Sequence, residues 1–335
     1  MINKSYFYDY QNKAVYLYTI ENDYLKVCIT DFGAIIQSLV IKTENGEIDV
    51  ALGFNNIEDY VNSNAYIGAT IGRVANRIGG GKYILDGKIY DLSKNDGNNT
   101  LHGGLIAYDK RFYSVELLDD VIKMSLTSAD CDQGFNANLD FTVEFSLDKN
   151  ALIMRYFGIA DQDTYFCPTN HTYFNLNGQG VGNIYDTYLK INADSITLVD
   201  ENLVTTGEFL QVKGTPFDFT NYKKIGQDIN SNDKNIKACG GFDHNFCTNS
   251  SYLASAYSNL TKIKLDVFSD YPAIQFYTSN MLNNCVGKAN YTKHCAFCLE
   301  PQFYPNAVNI SAFRKPLIKK GVINNHYIKY QFCEI

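Results

Sequence analysis

Apolar residues fall at every second position through long stretches of this 335-residue chain, a period that suits β-strands with one buried face and does not suit helices. Tyr24 to Thr30, Phe141 to Leu147, Ala151 to Phe157 and Lys262 to Phe268 all alternate in this way, whereas sustained helical periodicity is scarce. Two hairpins are legible. Lys82 to Leu85 and Lys88 to Leu92 flank an Asp86-Gly87 turn, and Phe141 to Leu147 returns through Asp148-Lys149-Asn150 into Ala151 to Phe157. The pattern predicts an all-β chain, built as one large antiparallel β-sandwich. Short helical turns are expected at Ile57 to Asn62 and Ile225 to Asn230, as connections between strands. With 6 prolines and no Gly/Ser- or Pro-rich linker, residues 1–335 read as a single domain.

Composition narrows the partners. A formal charge of −7 and a pI near 5.3 argue against a non-specific nucleic-acid binder or an anionic-membrane binder, which need basic patches to neutralise phosphate. A neutral or cationic small molecule fits better. The 26 Tyr and 21 Phe, with no Trp, suit both β-rich packing and stacking on sugar faces. Met1 to Ile20 mixes Lys4, Asp9, Gln11 and Lys13 among its apolar residues, so no signal-peptide core is present, and no later run is long enough to span a bilayer. A cytoplasmic protein is expected. The 9 cysteines, odd in number and scattered, suit reduced thiols.

Several polar islands interrupt the apolar pattern. Asn170-His171-Thr172-Tyr173-Phe174-Asn175-Leu176 sets a titratable imidazole among amide, hydroxyl and aromatic side chains that could hold a polyhydroxylated ligand; a buried, hydrogen-bonded core histidine is its plainer explanation. Gly72-Arg73-Val74-Ala75-Asn76-Arg77-Ile78 places two guanidinium forks and an amide before a glycine run, with one arginine expected to buttress the sheet. The pattern of a phosphate-binding loop is absent there. Leu101-His102-Gly103-Gly104 puts a second histidine on a loop, and Gly241-Phe242-Asp243-His244-Asn245-Phe246 sets an acid beside a third. Gln275 lies within an apolar strand and needs a partner; Glu300 follows Ala296-Phe297-Cys298 and is either paired or functional. His294-Cys295-x-x-Cys298 and the Cys239/His244/Cys247 group superficially look like metal ligands. If residues 294–299 form a strand, however, Cys295 and Cys298 face opposite sides, so no metal is expected.

In the order in which they occur, these islands and Thr215-Pro216-Phe217-Asp218-Phe219 and Leu299-Glu300-Pro301-Gln302 resemble the aldose 1-epimerase (galactose mutarotase) family over nearly the whole chain. The resemblance implies the galactose-mutarotase-like supersandwich with an open cleft on one face. It implies that the chain is an isomerase interconverting α and β anomers of free hexoses such as D-galactose and D-glucose. His171 would be the general acid and Glu300 the general base. Asn76, Arg77, His102, Asp243 and Gln275 would hold sugar hydroxyls, and Thr172, Tyr173 and Phe174 would shape the pocket. Asn170 would fix the loop. Neither cofactor nor metal is required by a reaction with no redox step, and a monomer or homodimer is expected. Where the family often has Gly-Phe-Asp-Lys followed by Trp, this chain has Ala107-Tyr108-Asp109-Lys110 and then Tyr113. The stretch from Phe313 to Ile335 matches least well and is expected to supply edge strands. Two rival functions remain: a glycosidase using Asp243 and Glu300 as its carboxylate pair, and a non-catalytic sugar sensor with the same cleft.

Overall fold

The computed structural model describes residues 1–335 and is built almost wholly of antiparallel strands, with two six-residue α-helices at Ile57–Asn62 and Lys234–Cys239. The expected hairpins are present, Lys82–Leu85 pairing with Lys88–Asp91 and Leu139–Asp148 with Ala151–Ala160. Asp86 and Gly87 take up the positive φ values that the first turn requires, 50° and 75°. The helical turn expected at Ile225 to Asn230 is shorter, a 3₁₀ turn over Ile225–Gln227. The helix at Lys234–Cys239 was not expected, although its ends follow ordinary chemistry: the Asp233 carboxylate accepts from the Asn235 N–H, and Gly240 closes it at φ 67°.

Three sheets carry the architecture. The first five strands, Ile2 to Asp49, form a consecutive antiparallel sheet. A nine-stranded sheet contains the long strands Val121–Ser128, Leu139–Asp148 and Ala151–Ala160, and a six-stranded sheet contains Tyr173–Phe174, Phe297–Gln302, Ala273–Tyr277 and Asp243–Thr248 as successive neighbours. Alternation sends Leu139, Phe141, Val143 and Phe145 inward, all fully buried, and a cluster of 82 buried apolar residues runs through the interior. The six- and nine-stranded sheets meet where Phe174 packs against Tyr330 and Phe332, and the Tyr330 hydroxyl donates to the Leu299 carbonyl at 3.0 Å.

The C-terminal segment corrects one expectation. Asn324–Glu334 is no edge strand: it lies in the middle of the nine-stranded sheet, paired with Ala151–Ala160 on one side and Ile263–Ser269 on the other. Its alternate residues His326, Ile328, Tyr330 and Phe332 are buried, Tyr330 and Phe332 against Phe174 of the six-stranded sheet.

Arg73 is the arginine that buttresses the fold. It is 2% exposed, and its guanidinium donates to the carbonyls of Asn136, Ser128 and Ala137 and to the Ser128 hydroxyl. A planar fork reaches these diverging acceptors together, and a lysine ammonium cannot. Arg73→Lys is therefore expected to destabilise the protein by about 2–4 kcal/mol in urea unfolding, because buried carbonyls lose their donors.

Candidate active site

Parity along the strands of the six-stranded sheet decides which side chains meet. Phe297 and Leu299 turn into the sandwich interior, so Cys298 and Glu300 turn the other way; Phe276 and Phe246 are interior, so Gln275, Tyr277, Asp243 and Asn245 are not. The polar side thus produced is the floor of a cavity of about 320 Å³, a size that suits a monosaccharide-scale ligand. Asn76, Arg77, His102, His171, Tyr173, Asp243, Gln275 and Glu300 all line it.

Thr172 and Phe174, expected to shape the pocket, do not line it. The alternation that turns His171 and Tyr173 toward the cavity turns their neighbours away. Phe174 is fully buried between the two sheets, and the Thr172 hydroxyl is bound to the Asn170 side-chain oxygen. Asn170 fixes the loop: its amide nitrogen donates to Gly68 O at 3.1 Å while its oxygen also accepts the Thr172 N–H. Tyr66 and Tyr277, on the other hand, line the cavity without having been expected there. Tyr277 was findable, two residues after Gln275 on the same strand face. Tyr66 sits in a loop at φ 54°, its ring 4.7 Å from that of His102 and stacked 6.1 Å from that of His171, and no periodic signal marks it.

The binding groups are held rigidly. Asn76 (φ 61°) and His102 (φ 52°) pin each other: the His102 N–H donates to Asn76 O at 3.1 Å, and the Asn76 N–H donates to His102 Nδ1 at 3.2 Å. Accepting at Nδ1 leaves the neutral ring's hydrogen on Nε2, so His102 is a fixed donor. Arg77 is oriented by Asp96, Nε to Oδ2 at 2.7 Å. Gln275 has the partner its apolar strand demanded, Nε2 donating to Asp243 Oδ1 at 2.6 Å.

His171 Nε2 lies 3.7 Å from Glu300 Oε2, and both side chains are buried. The imidazole is stacked on Tyr173, centroids 5.0 Å apart, and its backbone is tied to Ala69 and Gly68. Burial pushes the His171 pKa down to about 4, and burial, followed by the charge of Asp243, pushes Glu300 well above the ordinary carboxylate range. Burial also raises Asp243, opposed by Arg77 and the Gln275 hydrogen bond, and holds His102 well below its usual value. In so dry a site the uncharged pair, neutral imidazole with protonated Glu300, is favoured over imidazolium with carboxylate. This reverses the resting protonation implied by an acid His171 and a base Glu300, while leaving one proton shared between them.

The ligand atoms of His102, His171 and Glu300 lie within 4.8 Å of one another, which makes them the group best placed to hold a metal. A zinc ion at ~2.0–2.1 Å from each would draw them closer together, and it would need the His102 Nε2 lone pair that the Asn76 contact protonates. Proton donation fits these residues better. The other suspected ligand groups dissolve. His294 is bound through Nδ1 to the Tyr185 hydroxyl and through Nε2 to Gly240 O, and His244 takes the Asp243 N–H on its Nδ1 while packing against Phe217. All nine cysteines are free thiols.

Residues 16–331 match the family model described as aldose 1-epimerase. The chain is 39% identical over 341 residues to galactose mutarotase from Sus scrofa, covering 99% of this chain and 98% of the pig protein. It is 32% identical over 329 residues to aldose 1-epimerase from Escherichia coli, covering 94% of each. Among solved structures, galactose 1-epimerase from Lactobacillus acidophilus superposes with a TM-score of 0.88 at 28% identity, covering 100% of this chain and 99% of that one. An aldose epimerase homologue from C. elegans gives a TM-score of 0.87 at 28% identity, covering 95% and 98%.

Proposed function

This chain belongs to the aldose 1-epimerase family and is an isomerase that interconverts sugar anomers, and from that premise we propose that it acts on free hexoses, D-galactose and D-glucose, with His171 and Glu300 as the acid/base pair. The observation that carries the proposal is the buried imidazole and carboxyl facing each other at 3.7 Å in the floor of the cavity.

The chemistry follows from one shared proton. With His171 as imidazolium and Glu300 as carboxylate, His171 Nε2–H protonates the ring oxygen as the C1–O5 bond breaks. Glu300 takes the C1 hydroxyl proton, and the electron pair of that O–H bond completes the aldehyde C=O. The pair is then neutral. Rotation about C1–C2 and the reverse transfers close the ring on the other face. Burial favours the neutral pair both at rest and beside the open-chain aldehyde, so Glu300 must pass its proton to His171 before the ring opens, and the resulting ion pair is consumed as the ring opens. His102 and Gln275 supply donors of fixed orientation, and Arg77 a planar fork suited to vicinal hydroxyls. Two carboxyls astride a glycosidic bond are not needed, and a glycosidase would leave His171 without a part to play.

A single domain spanning residues 1–335 is proposed on the strength of the continuous core. A reducing compartment suits nine free thiols, which supports a cytoplasmic site of action; a monomer or homodimer is proposed. No helix is long and apolar enough to cross a membrane.

Polarimetry of freshly dissolved α-D-galactose and α-D-glucose tests the proposal. Both should relax to equilibrium faster with protein than in buffer, and no acceleration would refute it. Arg77 is the one arginine in the wall, which holds no lysine, and it is already paired with Asp96. The 6-phosphates of these hexoses are therefore expected to lose at least about tenfold in kcat/KM, since a desolvated dianion finds no second cation.

A further inference from the structure

The imidazole of His171 is approached on both nitrogens by one strand. Phe297–Gln302 carries Cys298 and Glu300 on the same face, two residues apart and so about 6.6–6.8 Å along the strand. Cys298 Sγ lies 3.6 Å from His171 Nδ1, and Glu300 Oε2 lies 3.7 Å from Nε2. Cys298 itself is fully buried and lies opposite Tyr173, the ring on which His171 stacks.

We propose that Cys298 is a positioning residue for His171: its sulfur accepts the Nδ1–H, so the permanent imidazole proton stays on Nδ1, and Nε2 is reserved for the proton that shuttles to the sugar. This rests on His171 being the acid of the pair. The tautomer follows from what each nitrogen faces. Cys298 Sγ is within a sulfur hydrogen bond's reach of Nδ1, whereas Glu300 Oε2 at 3.7 Å makes no hydrogen bond to Nε2, so the ring hydrogen has its acceptor on the Cys298 side. Burial, more than any neighbouring charge, holds the Cys298 thiol well above its ordinary value, so the sulfur is an uncharged acceptor. The consequence is chemical. A carboxylate on Nδ1 would stabilise the imidazolium and make it a weaker acid, whereas a thiol orients the ring without doing so. His102, whose Nδ1 accepts from Asn76, is fixed in the opposite tautomer and serves as a donor only.

The test reads His171 directly, by two-bond ¹H–¹⁵N correlation on protein labelled in histidine, alongside the pH dependence of kcat in the Cys298→Ala and Cys298→Ser variants. The wild type should show the Nδ1–H tautomer at neutral pH. Cys298→Ala should bring in the Nε2–H tautomer and lower kcat about tenfold with KM changed less than twofold. Cys298→Ser should keep the Nδ1–H tautomer and move the acid limb of kcat upward from near pH 4, because oxygen accepts from an imidazolium more strongly than sulfur does. Wild-type tautomer and wild-type kcat in Cys298→Ala would overturn the proposal. Should that variant fail to fold, an unmoved acid limb in Cys298→Ser would overturn it. Wild-type turnover in His171→Gln would instead remove the acid assignment, and the tautomer signature would still report whether Cys298 orients the ring.

Discussion

Glu300→Gln should lower kcat by about 10²–10⁴-fold, the range that a positioned proton-transfer group supplies, while making the folded protein more stable at neutral pH. Glutamine matches the side chain in shape but cannot take the C1 hydroxyl proton. The stability gain comes from the same environment. Glu300 is buried, its Oε2 has no hydrogen-bond partner, and burial and then Asp243 raise its proton affinity in the folded state. Between the unfolded carboxyl's pKa and the raised folded value, the folded state binds more protons than the unfolded one, so stability falls as pH rises through that window. The variant has no such dependence. Wild type and Glu300→Gln should therefore melt alike near pH 4 and separate as pH rises, the variant ahead by about 1–3 kcal/mol above neutrality. Parallel melting curves at every pH would show that Glu300 is not an unpartnered buried acid. An unchanged polarimetric rate would remove it from the reaction.

What the sequence disclosed, and what it withheld, divides along the range of the interactions involved. Alternation over Phe141 to Leu147 and the Asp86-Gly87 turn are local, and they correctly announce antiparallel sheet. Gln275 announces itself as an amide in an apolar strand, and Asp243 meets it from the neighbouring strand. Thr172 and Phe174 went wrong although the necessary signal was present. A strand that turns His171 and Tyr173 toward a cavity must turn their neighbours away, and the cluster of suggestive residue types obscured that parity. The helix at Lys234–Cys239 likewise had a readable cap in Asp233 and a readable stop in Gly240, but it is only six residues long. Other features are nonlocal. The central place of Asn324–Glu334 depends on pairing with strands far away in sequence, and Tyr66 reaches the histidines through a loop with no periodicity. The resting place of the shared proton is the least legible of all. It is set by how completely the sandwich removes His171 and Glu300 from water, which no short stretch of residues encodes.

His171→Gln is expected to cost about as much in kcat as loss of Glu300, about 10²–10⁴-fold, because protonation of the ring oxygen and removal of the C1 proton are halves of one transfer. The pair therefore acts as a unit, and the double variant His171→Gln/Glu300→Gln should be hardly slower than the slower single variant. Multiplied losses would mean that the two groups act in separate steps. The pH dependence carries the same signature. Wild-type turnover needs one proton on the pair; a second proton enters His171 near pH 4, which sets the acid limb, and loss of the shared proton sets an alkaline limb displaced upward by the burial of Glu300. His171→Gln should abolish the acid limb from whatever rate remains. Its effect on stability has the opposite sign to that of Glu300. The folded value is depressed, so the unfolded state takes up protons first as pH falls from about 6.5, and the wild type loses stability between there and pH 4. The variant should lose less over that interval, by an amount read as a shallower fall in Tm. An equally steep fall would show that His171 adds nothing to the acid sensitivity and that other groups, among them His102, His244 and His294, whose values burial also depresses, carry it.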